Sequence, residues 1–190
     1  SPTPTYTPTA TNTPSPTPTA TPATIALTPW PTPDPLSSGG SVAFTMRQNG
    51  NSDLYVLSLG QDEPVRVTNH RGVDRDPAWR PDGRQLAFTS DRSGNWEIYI
   101  LDLPTGDIEQ VTNDMGFDGG AKWSPDGQWL VYEGYRNNNL DIYIIKADGS
   151  EGPIRLTEHA APDFSPVWSP DGRNIAFTSW RSGNKDIFIM

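Results

Sequence analysis

The sequence predicts an all-β chain, a partial β-propeller of four-stranded antiparallel blades, two complete and two partial, behind a disordered leader. Three observations carry this. PAWRPDGRQLAF from Pro77 returns as AKWSPDGQWLVY from Ala121 and PVWSPDGRNIAF from Pro166, so Trp79, Trp123 and Trp168 stand 44 and 45 residues apart. Self-similarity at that period marks a repeat architecture. Between these motifs lie only short runs rich in β-branched and aromatic residues, bounded by turn residues and too short for a helix of period 3.6. Four such runs per unit of about 40–45 residues are the signature of a propeller blade. Residues 1–35 differ in kind, with 12 Thr, 11 Pro and one charged residue, Asp34.

Proline fixes φ and removes backbone donors, so the leader can form neither helix nor central strand. It has almost nothing apolar to bury and cannot offset its ordering entropy. Residues 1–35 are therefore expected to be a disordered Thr/Pro-rich linker or stalk. Extended at ~3.1 Å per residue, it would reach on the order of 100 Å. An arbitrary low-complexity tail without a spacing role is the alternative.

Residues 36–190 suffice for one modest core. They hold all 14 Lys and Arg and 22 of the 23 acidic residues, a net charge of about −8. An acidic surface argues against nucleic acid as a partner, which rewards a basic face. The absence of cysteine excludes disulfides and thiolate metal sites. No run approaches the ~18–20 apolar residues of a membrane span, and no signal peptide is recognisable.

Superposing the repeats aligns Val42-Ala43-Phe44, Leu86-Ala87-Phe88, Leu130-Val131-Tyr132 and Ile175-Ala176-Phe177 as one strand. Leu54-Tyr55-Val56, Ile98-Tyr99-Ile100, Ile142-Tyr143-Ile144 and Ile187-Phe188-Ile189 form the next. Val67-Thr68, Val111-Thr112 and Leu156-Thr157 are read as the fourth, and the Trp segment as the first. The apolar Ile98–Leu101 run has no polar face, so stacked sheets must cover it on both sides. The expected blades span residues 41–69, 76–113, 120–158 and 165–190.

Pro81-Asp82-Gly83, Pro125-Asp126-Gly127 and Pro170-Asp171-Gly172 explain how the first two strands join. Proline presets φ for the first turn position, aspartate bonds its own backbone, and glycine supplies the permissive corner. These triplets, with Trp79, Trp123 and Trp168, are the structural signature of the repeat; the aspartates are not catalytic, and each Trp packs between neighbouring blades. A second turn, at Gly50-Asn51, Arg92-Ser93-Gly94-Asn95 and Gly183-Asn184, joins strands two and three.

The pattern P-x-W-S-P-D-G-[RQ]-x-[IL]-[AV]-[FY] followed by D-[IL]-[YF]-[IV] resembles the WD40-like propeller repeat of the TolB family over about residues 41–190. The first repeat departs from it, with Pro35 where Trp belongs and Ser37-Ser38-Gly39 in place of Pro-Asp-Gly. That blade is expected to begin at its second strand. The last repeat stops inside its third, at Met190. The resemblance implies rings of six to eight blades, so the expectation is a fragment of a longer protein whose isolated form is marginal or pairs through its edges.

No catalytic constellation emerges. His70 and His159 sit in no metal-ligand spacing and fall in loops between blades. There is no G-x-S-x-G elbow, Walker motif or dinucleotide fingerprint, and Gly119-Gly120 is isolated. No cofactor or metal is expected. Asp74, Asp118 and Asp163 each stand five residues before the repeat Trp, in a segment that opens on one propeller face. They could form a channel-face ring of carboxylates for a cation or a basic peptide, or each could bond loop amides locally. Arg92, Arg136 and Arg181 recur after the second strand, and the plain expectation pairs them with Glu97, Asp141 and Asp186 five residues on. An anion-binding arginine set is the other reading.

The resemblance implies a non-catalytic module that binds a protein or peptide on a propeller face, extracytoplasmic, as a scaffold or sensor region. The Thr/Pro leader departs from TolB and suits a tether to an upstream anchor. The alternative is the substrate-gating propeller of a prolyl oligopeptidase-like or tricorn-like peptidase, with its catalytic domain absent from this chain.

Overall fold

The computed structural model describes residues 40–190; the Thr/Pro leader and its stalk role lie outside the described residues. The described chain is all β, fourteen strands in four antiparallel sheets laid out in sequence order. The first sheet holds β1 (Ser41–Gln48), β2 (Asn51–Ser58) and β3 (Val65–Arg66). The second holds β4 (Asp74–Trp79), β5 (Gln85–Ser90), β6 (Glu97–Asp102) and β7 (Ile108–Gln110). The third holds β8 (Phe117–Trp123), β9 (Trp129–Arg136), β10 (Asn139–Lys146) and β11 (Ile154–Arg155). The fourth holds β12 (Asp163–Trp168), β13 (Ile175–Ser179) and β14 (Asp186–Ile189). Each sheet is a simple meander, the topology of a propeller blade.

The blades share one register. Phe44 opposes Tyr55, Phe88 opposes Tyr99, Tyr132 opposes Tyr143 and Phe177 opposes Phe188. These cross-strand rings sit with centroids 5.7–6.2 Å apart, within the range where aromatic pairs add stability beyond their burial. The same register makes β1 the counterpart of β5, β9 and β13, so the first described blade enters at its second strand.

Stacking of the blades builds three apolar clusters, one per seam. Leu54 with Ala43, Val56 and Val67 meets Leu86, Phe88, Tyr99, Leu101 and Trp79. Ala87, Ile98 and Ile100 meet Trp123, Leu130, Tyr132, Tyr143 and Ile145. Val131, Ile142 and Ile144 meet Ile175, Phe177, Phe188 and Trp168. Each repeat Trp thus packs at a seam. Trp123 goes furthest: it is 7% exposed and its indole N–H donates to the Ala78 carbonyl of the preceding blade at 3.1 Å.

The Pro-Asp-Gly corners are tight turns. The Gly83, Gly127 and Gly172 amides donate to the carbonyls of Arg80, Ser124 and Ser169, and Asp82, Asp126 and Asp171 accept from the amide two residues on at 3.0–3.1 Å. The glycines have φ near +70°, where a Cβ is disfavoured.

The fourth strand is shifted from the expected place. β3, β7 and β11 end before Val67-Thr68, Val111-Thr112 and Leu156-Thr157. The Val and Leu amides still pair with the third strand, but the next bond is made by a side chain. The Thr68, Thr112 and Thr157 hydroxyls accept the amides of Leu54, Ile98 and Ile142 at 2.9–3.0 Å. Threonine here finishes the ladder with its hydroxyl, which frees the chain to turn towards the next blade.

Candidate functional site

Strands β4, β8 and β12 are the first of their blades and pack side by side. Their N-terminal ends, the hairpins after β5, β9 and β13, and the loops entering each blade form one face. The three sequence-singled carboxylates sit at this end, at the start of each first strand. Asp74, Asp118 and Asp163 are all 0% exposed, and each is bound by an arginine. Arg92 Nη2 reaches both oxygens of Asp74 at 2.8 and 2.9 Å. Arg136 makes a two-pronged bond to Asp118 at 2.8 and 2.9 Å and also holds Asp114. Arg181 donates to Asp163 at 2.7 Å.

Sequence spacing pairs these arginines with Glu97, Asp141 and Asp186, but in the structure they lie on Asp74, Asp118 and Asp163, whose carboxylates accept from side chains rather than from loop amides. Glu97, Asp141 and Asp186 make other contacts. Asp141 pairs with Arg155 at 2.7 Å, as Asp53 pairs with Arg66 at 2.7 Å. Glu97 accepts the Thr112 hydroxyl and the Asp114 amide, because Gln110 stands where the other blades carry Arg66 and Arg155. Asp186 takes the Ser182 hydroxyl. The physical reason is register: Asp74 opposes Ser90 and Asp118 opposes Gly134, so the arginine two residues later folds back along its own strand onto the first strand.

Each of these guanidiniums also lies on rings. Arg92 stands 4.9–5.0 Å from the Phe88 and Tyr99 centroids, Arg136 4.4 Å from Tyr143, and Arg181 4.8–5.0 Å from Phe177 and Phe188. A carboxylate in front and an aromatic face behind fix the fork. The unit recurs in the second, third and fourth blades.

Asp118 is the exception within the set. In the second blade the Ser90 hydroxyl also donates to Asp74, at 2.6 Å; in the third, Gly134 occupies that position. A Cβ at Gly134 would lie 2.1 Å from Arg136 Nη1 and 2.8 Å from Asp118 Oδ1. Burial pushes the Asp118 carboxyl up from 3.8 to about 6, against the pull of Arg136, with Asp114 and Glu97 adding to the rise. The unfolded carboxyl keeps its ordinary value. Between about pH 6 and 3.8 the folded state thus holds a proton that the unfolded state lacks. This group's contribution to stability grows as pH falls through that window and is level below it. Urea midpoints of the wild type and Asp118→Asn, measured from pH 7.5 to 4.5, should differ by a margin that shifts in the wild type's favour as pH falls through 6. Parallel curves would contradict the assignment.

Two features of this face were not visible in the sequence. The first is a bulge in each first strand, where Asp76, Gly120 and Ser165 take φ of +56°, +64° and +54°. The bulge amide is used to dock blades: Gly120 N donates to Thr89 Oγ1 of the preceding blade at 3.1 Å, and Ser165 N to Glu133 Oε2 at 2.8 Å. The second is a cleft of about 300 Å³ beside these bulges, lined by Asp76, Lys122, Glu133, Ser165 and Val167 among others. Burial raises the Glu133 carboxyl above its ordinary value, opposed by the Ser165 amide.

The histidines are turn caps on the same face. His70 Nδ1 accepts from Gly72 N at 2.9 Å and His159 Nδ1 from Ala161 N at 3.0 Å. Asn51 and Asn139 clamp the carbonyls of the two histidines, and Asn95 that of Asp114. Among the described residues no cluster of His, Asp and Glu has metal-binding geometry, and no helix is long and apolar enough to cross a membrane.

No curated protein is detectably similar to the chain in sequence. Among solved structures, a protein described as TolB from Agrobacterium tumefaciens is 26% identical, with a TM-score of 0.70 over 78% of this chain and 56% of that one. TolB from Acinetobacter baumannii is 29% identical, with a TM-score of 0.72 over 79% of this chain and 38% of that one. The chain therefore spans about half or less of these proteins. A puromycin-hydrolysing peptidase from Mycobacterium tuberculosis shares the fold, at 16% identity and a TM-score of 0.59 over 80% of this chain and 28% of that one. The model of the TolB beta-propeller domain matches twice, at residues 23–102 and 95–190. With its meandering blades, common register and this double match, the chain belongs to the TolB beta-propeller domain family.

Proposed function

We propose that the chain is a non-catalytic, protein- or peptide-binding propeller module, a scaffold or sensor region working outside the cytoplasm. Its recognition surface is the face where the first strands begin. One observation carries this reading. Tyr135 and Trp180, half-exposed, occupy the same position in successive hairpins of that face, and the fully exposed Met115 lies on a loop beside Tyr135. Such side chains, standing out of a rigid frame, are those that anchor protein interfaces. Membership of the TolB domain family and the Thr/Pro leader support the extracytoplasmic placement. The likeness to a peptidase is one of fold, so it does not favour a substrate gate over a binding module.

A photo-crosslinking amino acid placed at position 135 or 180 of the protein in its native cells should give a discrete protein adduct. The same probe at position 148, in the loop after β10 at the opposite end of the blade, should give none. Adducts from 148 alone, or none from either face, would overturn the reading.

A further inference from the structure

We propose that Arg75 is the anion-binding residue of this face, taking a carboxylate of the peptide partner, either an acidic side chain or a chain terminus. This rests on the peptide-binding reading above and sharpens it to an acidic ligand.

Arg75 is not part of the repeat. It lies on β4 at the position filled by Gly119 on β8 and Phe164 on β12. The repeat arginines 92, 136 and 181 and Arg66 and Arg155 all donate to buried carboxylates, and Arg80 donates to the Gly127 carbonyl. The Arg75 side chain makes no hydrogen bond among the described residues, and its Nε is buried without a hydrogen-bond partner. Asp76 stands at 3.4 Å from that Nε, within ion-pair distance but outside hydrogen-bond geometry.

What holds Arg75 is aromatic. Its guanidinium carbon lies 3.9 Å from the Trp96 centroid and 5.8 Å from that of Phe117. Gly119 makes the second wall possible: a Cβ there would come within 2.7 Å of the Phe117 ring. A guanidinium stacked on an indole is oriented and partly desolvated, while the N–H groups on its edge stay free. That is the preorganised fork that a planar carboxylate bonds in two places. The side chain is 39% exposed, so the fork is reachable. The neighbouring cleft adds Lys122 as a second cation. Of the carboxylates nearby, Glu133 is engaged by the Ser165 amide, whereas Asp76 is half-exposed and competes with an incoming anion.

The test is titration calorimetry on the 190-residue chain with three probes: acetyl-hexaglutamate amide, acetyl-hexaglycine with a free terminal carboxylate, and acetyl-hexaglutamine amide. Saturable binding is expected for one or both carboxylate peptides and not for the glutamine peptide; which of the two binds tells side chain from terminus. Arg75→Ala should weaken that binding about tenfold or more. Arg75→Lys should recover only part of it, since a lysine lacks the fork. Asp76→Asn should tighten it, a gain that no folding defect can mimic. Equal binding by wild type and Arg75→Ala, equal binding of the glutamine peptide, or no binding of any probe would overturn the proposal. A protein adduct at positions 135 and 180 whose affinity ignores Arg75→Ala would sink this inference alone and leave the recognition face standing.

Discussion

Replacing Arg136 by alanine is expected to cost about 3–5 kcal/mol at pH 7. The variant leaves Asp118, 0% exposed, without the fork that neutralises it, and frees Asp114 as well. No serine hydroxyl stands in reserve, because Gly134 occupies that position. The cost should shrink as pH falls towards 6, because without Arg136 the buried Asp118 takes up its proton at higher pH than in the wild type, and the double variant Arg136→Ala/Asp118→Asn should be more stable than Arg136→Ala at pH 7. Urea denaturation of the four proteins at pH 7 and pH 5 measures this cycle. A loss independent of pH, with no recovery in the double variant, would place the weight on packing against Tyr143 rather than on charge.

Trp123→Ala should have a comparable effect, about 3–5 kcal/mol. The indole fills the seam between the second and third blades, touching residues of both, and its N–H satisfies the Ala78 carbonyl. Trp79 and Trp168 are only partly buried, and their N–H groups have no partner among the described residues. The same substitution there should cost less. Denaturant midpoints of the three alanine variants check the order, and a smaller loss for Trp123→Ala than for the other two would contradict the account of the seams.

The blade was legible in the sequence to the extent that local chemistry dictates it. Pro-Asp-Gly names its own turn, and the Ala-Phe and Ile-Tyr runs name their strands, because alternation, β-branching and turn residues act within a few positions. Spacing points Arg92 at Glu97 because Glu97 is nearer along the chain, whereas Asp74, 18 residues back, is nearer across the register of β4 and β5. The residues of the Val-Thr segment favour a strand. The hydroxyl of Thr68 replaces the last ladder bond, which composition alone does not show. The bulges at Asp76, Gly120 and Ser165 share a conformation and not a residue type, so no motif marks them. Gly119 carried no signal by itself; its meaning lies in the Phe117 ring that occupies its side-chain space beside Arg75.

On the proposed reading the repeats hold a frame and one face of it binds a partner. The protein captured by cross-linking at positions 135 and 180 supplies the means to test this. Its affinity should be measured for two triple variants, Met115→Ala/Tyr135→Ala/Trp180→Ala on the recognition face and Asp82→Ala/Asp126→Ala/Asp171→Ala at the turns of the opposite face. The expected result is a loss of about tenfold or more for the first variant, with its melting temperature unchanged. The second should bind as the wild type does, whatever it loses in stability. Undiminished binding by the first variant, or a loss confined to the second, would contradict the claim.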